Sequence, residues 1–170
     1  IPHQVGRVGL CHLLTDKGGV RSEFTVHRTG PEQFYLVSAG ALERHDFDYL
    51  QKLRPRDGTV DLQKVTTQQG VFVLAGPHSR ELLQRITRVD LSNAAFPWLV
   101  GKQADLGVAH GRVLRVNFVG ELGYELHHPI EMQNYLFDLL FEAGEDLGLR
   151  PFGIRAMDAL RLEKSYRLVP

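Results

Sequence analysis

Val8-Gly9-Leu10-Cys11-His12-Leu13-Leu14-Thr15-Asp16-Lys17-Gly18-Gly19-Val20-Arg21-Ser22-Glu23-Phe24-Thr25-Val26-His27-Arg28 is the stretch on which the architecture turns. Two apolar-rich runs, Val8–Leu14 and Val20–Arg28, flank residues 15–19, where paired glycines suit a tight hairpin loop. Alternation along the second run puts Val20, Ser22, Phe24 and Val26 on one face and Arg21, Glu23 and Thr25 on the other. The plain reading of that polar face is an Arg21/Glu23 surface pair of small energetic weight. The sharper reading is a carboxylate at the turn that serves an amine.

Working outward, residues 34–38 read as a third strand and residues 41–53 as a helix with Leu42, Phe47, Leu50 and Leu53 near one face. Arg54-Pro55-Arg56-Asp57-Gly58 ends that helix, because proline disfavours its continuation and glycine supplies a turn. Residues 61–66 and 71–74 read as strands, the second a near-continuous apolar run of the buried kind. Gly76-Pro77 opens a helix with Leu82, Leu83 and Ile86 as its inner stripe. Residues 112–119 and 122–128 form a further strand pair turning at Gly120-Glu121. Residues 130–147 read as the longest helix, capped by Gly148, and a last helix begins near Gly153. Strand pairs joined by tight turns, with helices between the sets, predict an α+β fold of largely antiparallel sheets rather than a doubly wound one.

The chain has 170 residues, the size of one ordinary domain or of a piece of a larger one. Twenty Lys+Arg balance twenty Asp+Glu, so no net field steers the molecule toward nucleic acid or an anionic membrane, and neither partner is expected. An apolar fraction of 43% and a charged fraction of 24% fit a globular chain. No apolar run reaches the roughly 20 residues of a bilayer span. The opening Ile1-Pro2-His3-Gln4-Val5 carries no targeting signal and reads as the start of an internal fragment. The single cysteine, Cys11, excludes an internal disulfide and fits a reducing compartment.

The eight histidines are scattered, and His127 and His128 point to opposite faces of one strand, so no metal site is expected. Dinucleotide and phosphate-loop patterns are missing, as is a Gly-x-Ser-x-Gly elbow. Gly120-Glu121-Leu122-Gly123-Tyr124-Glu125 superficially resembles a glycine-rich phosphate loop, but its two carboxylates would repel phosphate. In an extended strand Glu121, Gly123 and Glu125 share one face, with Leu122, Tyr124 and Leu126 packed into the core on the other. A carboxylate beside a residue without a side chain lets a flat ring approach the backbone, and it can accept two parallel N–H bonds from an amino-pyrimidinone edge. Spacing alone favours the plainer alternative, two solvated glutamates on an edge strand.

Four segments taken in order add a family. Residues 15–26, the run Leu74-Ala75-Gly76-Pro77-His78-Ser79-Arg80-Glu81-Leu82-Leu83, the run Gly120-Glu121-Leu122-Gly123-Tyr124-Glu125-Leu126, and residues 150–164 together resemble the folate-binding aminomethyltransferase family. That family includes the glycine-cleavage aminomethyltransferase and the C-terminal halves of dimethylglycine and sarcosine dehydrogenases. Val37-Ser38-Ala39-Gly40 and residues 160–167 look more like the dehydrogenase branch. The resemblance implies that residues 1–170 are part of a folate-binding domain, with an FAD-dependent oxidase part upstream and a barrel domain downstream, both outside this chain. It implies tetrahydrofolate as cofactor, FAD only in those other parts, and an N-methylated amine as the small-molecule partner. Bacterial cytoplasm and mitochondrial matrix are both compatible locations.

Residue by residue, the resemblance makes Glu125 the contact to the pterin's amino edge and Phe118 the aromatic against the ring, with Tyr124 and Arg155 as further folate contacts. Glu23 falls where the family usually has a catalytic aspartate; it keeps the charge and adds one methylene, about 1.5 Å of reach. Met157 stands where the family has an arginine, a cation that Arg155 or Arg161 could replace. The asparagines expected after the Val37 strand are replaced by Ser38 and Ala41. The implied reaction is one-carbon transfer giving 5,10-methylenetetrahydrofolate. The alternatives are the glycine-cleavage aminomethyltransferase and a non-catalytic folate-binding module.

Overall fold

The computed structural model of the protein describes residues 1–168. These form two compact units, Ile1–Thr66 and Thr67–Leu168. Both mix helices with antiparallel sheet, so the α+β expectation holds.

The first unit is a three-stranded sheet in the order β1-β2-β3, from β1 (Val8–Leu14), β2 (Val20–Arg28) and β3 (Phe34–Val37). The hairpin between β1 and β2 closes through Thr15: its amide donates to the Gly19 carbonyl at 2.8 Å, and its hydroxyl accepts from the Gly19 amide at 3.0 Å. The register slips between Leu13 and Leu14, so Leu13 faces Ser22 and Leu14 faces Val20. Ser22, Phe24 and Val26 are buried, as alternation predicts. A 3-10 turn, Gly40–Leu42, leads into α1 (Glu43–Leu53). The predicted apolar stripe of α1 is only half right: Leu53 is exposed, and the buried residue of the helix is Asp46, whose Oδ1 lies 3.1 Å from His45 Nδ1. Residues 61–65 are not a strand, contrary to expectation. An extended segment becomes a strand only through a partner's backbone groups, and among the described residues none pairs with this one.

The second unit has a four-stranded antiparallel sheet in the order β4-β7-β6-β5. The strands are β4 (Gln69–Ala75), β5 (Gly101–Leu106), β6 (Ala109–Leu114) and β7 (Gly123–Pro129). One face of the sheet carries Leu74, Tyr124, Leu126, Val113 and Ala104 into the core. Leu82, Leu83 and Ile86 of α2 (Ser79–Ile86) and Leu136 and Leu140 of α3 (Gln133–Ala143) complete it. The helix α4 (Ile154–Glu163) starts one residue after Gly153, as predicted.

Several boundaries differ from the sequence reading, among them the start of α2, which lies at Ser79 and not at Gly76-Pro77. The strand expected over residues 112–119 ends at Leu114, and β5 joins its other end as a partner that the pattern did not reveal. Strand β7 begins at Gly123, so Leu122 and Glu121 belong to the preceding loop. The long helix ends at Ala143, with the Gly144 amide bonded to the Leu140 carbonyl at 3.0 Å, so Gly148 lies in a later turn.

Candidate functional site

Asn117 shapes the approach to β7. Its Oδ1 accepts from the amides of Val119 and Gly120, each at 3.0 Å, and its Nδ2 donates to the Glu121 carbonyl at 2.6 Å. A polar side chain that satisfies three backbone groups offers them an alternative to a strand ladder, which is why β6 does not run on to Val119. The same side chain lies over Gly123: a Cβ there would sit 3.1 Å from Asn117 Cβ and 3.1 Å from the Leu74 carbonyl oxygen. The bare glycine therefore accommodates Asn117, not a ligand ring. Glu121 does not share a strand face with Glu125; the residues that do are Gly123 and His127.

Glu125 sits in the middle of the sheet, across from Val73 on β4 and Leu114 on β6. Its Oε2 is 3.1 Å from His127 Nε2, and its side chain is 20% exposed where that of His127 is 0%. An ionised carboxylate can only accept, so His127 Nε2 carries the hydrogen of this bond. Among the described residues Oε1 of Glu125 has no hydrogen-bond partner. Glu125 thus presents one held and one unengaged oxygen.

Tyr124 points the other way. It is fully buried, its ring packs on Phe96 with centroids 6.0 Å apart, and its hydroxyl accepts from Arg80 Nε at 3.3 Å. This corrects its placement among the folate contacts: successive strand residues face opposite sides, and the core face already holds this ring.

Phe118, half-buried in the loop before β7, stacks on Tyr166 with centroids 6.1 Å apart and planes 25° from parallel. The Arg161 guanidinium lies 5.6 Å from the Phe118 centroid. Arg161 is itself fixed, donating from Nε to Asp158 Oδ1 and from a terminal nitrogen to the Tyr166 carbonyl, both at 2.8 Å. Held in this way, Arg161 secures the end of α4. Arg155, on the same helix, is exposed and makes no hydrogen bond or ion pair among the described residues.

In the first unit, Glu23 lies directly across the hairpin from His12, with Oε2 2.7 Å from His12 Nε2. The side chains are 27% and 40% exposed. Arg21 does not pair with Glu23; its guanidinium lies 4.0 Å above the Tyr49 ring. A flat cation over an aromatic face keeps its hydration while gaining contact, which a rim carboxylate does not improve upon. Neither His12 nor His127 was singled out from the sequence as a carboxylate's partner. The register slip between Leu13 and Leu14 hid His12, since counting back from the Leu14–Val20 pair without it sets Cys11 across from Glu23, whereas the i, i+2 spacing along β7 would have found His127.

Two hollows lie elsewhere. One of about 610 Å³ in the second unit is lined by Pro77, Arg80, Gln84, Arg85, Asp90 and Leu122 among others. The Ser92 amide bonded to Asp90 holds that carboxyl below its usual range. The other, of about 470 Å³ in the first unit, is formed by the chain's first residues and β1. Neither is lined by Glu125, Phe118 or Glu23. Among the described residues no His/Cys/Asp/Glu group is placed to hold a metal ion, and no helix is long and apolar enough to cross a membrane.

The chain is similar to known proteins along nearly its whole length. The family described as the GCVT N-terminal domain matches residues 1–170. The chain is 36% identical over 165 residues to the mitochondrial dimethylglycine dehydrogenase of Mus musculus, covering 96% of this chain and 19% of that protein. It is also 36% identical over 155 residues to the 4-methylaminobutanoate oxidase (formaldehyde-forming) of Paenarthrobacter nicotinovorans, covering 91% of this chain and 19% of the oxidase. The chain therefore spans only a fifth or so of these relatives, at the 19% just given. The crystal structure of the glycine cleavage system aminomethyltransferase T from Bartonella henselae superimposes with a TM-score of 0.77 at 22% identity, covering 97% of this chain and 42% of that one. That last likeness is one of fold.

Proposed function

We propose, since the chain belongs to the GCVT N-terminal domain family, that residues 1–170 are part of the tetrahydrofolate-binding, one-carbon transfer region of a dimethylglycine- or sarcosine-dehydrogenase-like enzyme. The similarity to a dimethylglycine dehydrogenase along 96% of the chain supports that branch. On this reading an FAD-dependent oxidase part and a barrel domain lie elsewhere in the full-length protein, an N-methylated amine is the substrate, and the compartment is the mitochondrial matrix or the bacterial cytoplasm.

The observation that carries the reading is Glu125, a partly exposed carboxylate with Oε1 unengaged and Oε2 already oriented. That donor-seeking pair fits the two parallel N–H groups of an amino-pyrimidinone edge. Phe118 and the exposed Arg155 fit the ring face and an anionic tail, while Gly123 and Tyr124 contribute no contact. When bound, tetrahydrofolate would supply the two amine nitrogens that take up a formaldehyde-level carbon, whose oxygen leaves as water, giving 5,10-methylenetetrahydrofolate. Glu125 orients the ring. Taken by itself within the first unit, Glu23, whose Oε2 lies 2.7 Å from His12 Nε2, is a carboxylate suited to accepting a proton from an amine.

Calorimetric titration of tetrahydrofolate into the full-length protein and its Glu125→Ala variant tests the first role. A charged hydrogen bond is worth about 1.5–3 kcal/mol, so affinity is expected to fall about ten- to hundredfold. Unchanged affinity removes Glu125 from the site. For Glu23→Ala, the yield of methylenetetrahydrofolate per amine oxidised is expected to fall steeply while amine oxidation continues, and equal coupling would dismiss Glu23.

A further inference from the structure

His127 is a fully enclosed titratable side chain in the middle strand of its sheet. It sits between Val71 on β4 and Arg112 on β6 in cross-strand register. Its Nε2 meets Oε2 of Glu125, two residues back on the same face, at 3.1 Å. The exposure of the two partners is unequal: the imidazole is sealed in, whereas the carboxylate reaches partly into solvent. A ring held on all sides by packing has little rotational freedom, so its N–H direction is fixed by the sheet.

A glutamate has three rotatable bonds, and a free one samples many carboxylate orientations. Binding the edge of a planar heterocycle requires the carboxylate plane to match the ring plane. Oε2 can accept from His127 and from a ligand together, because a carboxylate oxygen has two lone-pair sites. Oε1 remains wholly available to the second donor.

From this arrangement we infer that His127 is a positioning residue: it clamps Oε2 so that the carboxylate of Glu125 is already set for a ligand with two parallel N–H donors. The inference rests on the reading of Glu125 as the contact to the amino-pyrimidinone edge and adds the residue that makes that contact selective. Preorganisation of this kind lowers the ordering cost of binding.

The test uses the full-length protein with two probes, tetrahydrofolate and its 2-desamino-2-methyl analogue, which lacks one of the two donors. His127→Phe keeps a ring of similar shape and removes the N–H. The dissociation constant for tetrahydrofolate is expected to rise about three- to tenfold, and the preference for tetrahydrofolate over the analogue to fall by a similar factor. In a Glu125→Ala background the same substitution is expected to change neither. His127→Gln, which returns an N–H donor, should recover most of the preference. Should His127→Phe fail to fold, His127→Met supplies the donor-free comparison.

Equal weakening of both probes, or an effect that survives in the Glu125→Ala background, would overturn the inference by making His127 only a packing residue. A strong loss for Glu125→Ala with none for His127→Phe would sink the clamp and leave the folate reading standing. No loss for Glu125→Ala itself would remove the folate reading, and the clamp with it.

Discussion

Gly123 and Asn117 illustrate how a single position acquires its meaning from a neighbour. A Cβ at position 123 would meet Asn117 Cβ and the Leu74 carbonyl oxygen, each at 3.1 Å. One of these is backbone in the ladder between β4 and β7 and cannot withdraw without disturbing it. Gly123→Ala is therefore expected to destabilise the second unit by about 1–3 kcal/mol, the usual cost of overpacking, and urea unfolding against wild type measures it. An unchanged midpoint would mean that the Asn117 loop yields freely. The sequence showed a glycine beside a glutamate and suggested open space. It did not show the asparagine folding back, because three local hydrogen bonds decide that, not alternation. Glu23 was legible as a half-exposed carboxylate, since the face of β2 follows from period two alone.

The elements that were legible are those whose signal is local. Residues 8–28 state their own hairpin, and α2 places Leu82, Leu83 and Ile86 inward as its spacing predicts. Strand β5 was not legible, because Gly101-Lys102-Gln103-Ala104-Asp105-Leu106 is short of β-branched and aromatic residues and its stability comes from pairing with β6. The two-residue loop Gly107-Val108 was the available clue: Gly107 has φ of 60°, as a tight hairpin with glycine first requires. Helix ends depended on contacts equally remote in sequence. Arg85, in the last turn of α2, donates to the Ala143 carbonyl at 2.7 Å and to Asp146 Oδ2 at 3.0 Å, satisfying an orphan acceptor at the end of α3. The hydrogen bond from Arg85 holds the Asp146 carboxyl below its usual range. A depressed carboxyl contributes stability above its unfolded value, near pH 3.9, and loses it as pH falls through the lower folded value. Asp146→Asn is thus expected to lower the melting temperature slightly at neutral pH and low salt, with the gap to wild type closing below about pH 4. A gap that persists at pH 2–3 would assign the effect to packing and not to charge.

At the scale of the molecule, every residue of the principal core cluster, from Leu74 to Leu140, belongs to Thr67–Leu168. Composition and periodicity gave one continuous α+β pattern. Division into units depends on which apolar faces meet, and a one-dimensional pattern does not specify that. The second unit has a four-stranded sheet with two helices over one face, a complete layer pair around its own core. Roughly a hundred residues is within the range in which one hydrophobic core sustains a fold. A polypeptide of residues 67–168 alone is accordingly expected to give a cooperative thermal transition and dispersed amide resonances. Within it, Leu83→Ala removes a fully buried side chain from α2 and is expected to cost about 2–5 kcal/mol. In a domain this small that lowers the midpoint by about 4–8 °C for each kcal/mol lost. A broad, non-cooperative melt of the unsubstituted polypeptide would show that its layers need the rest of the chain to close.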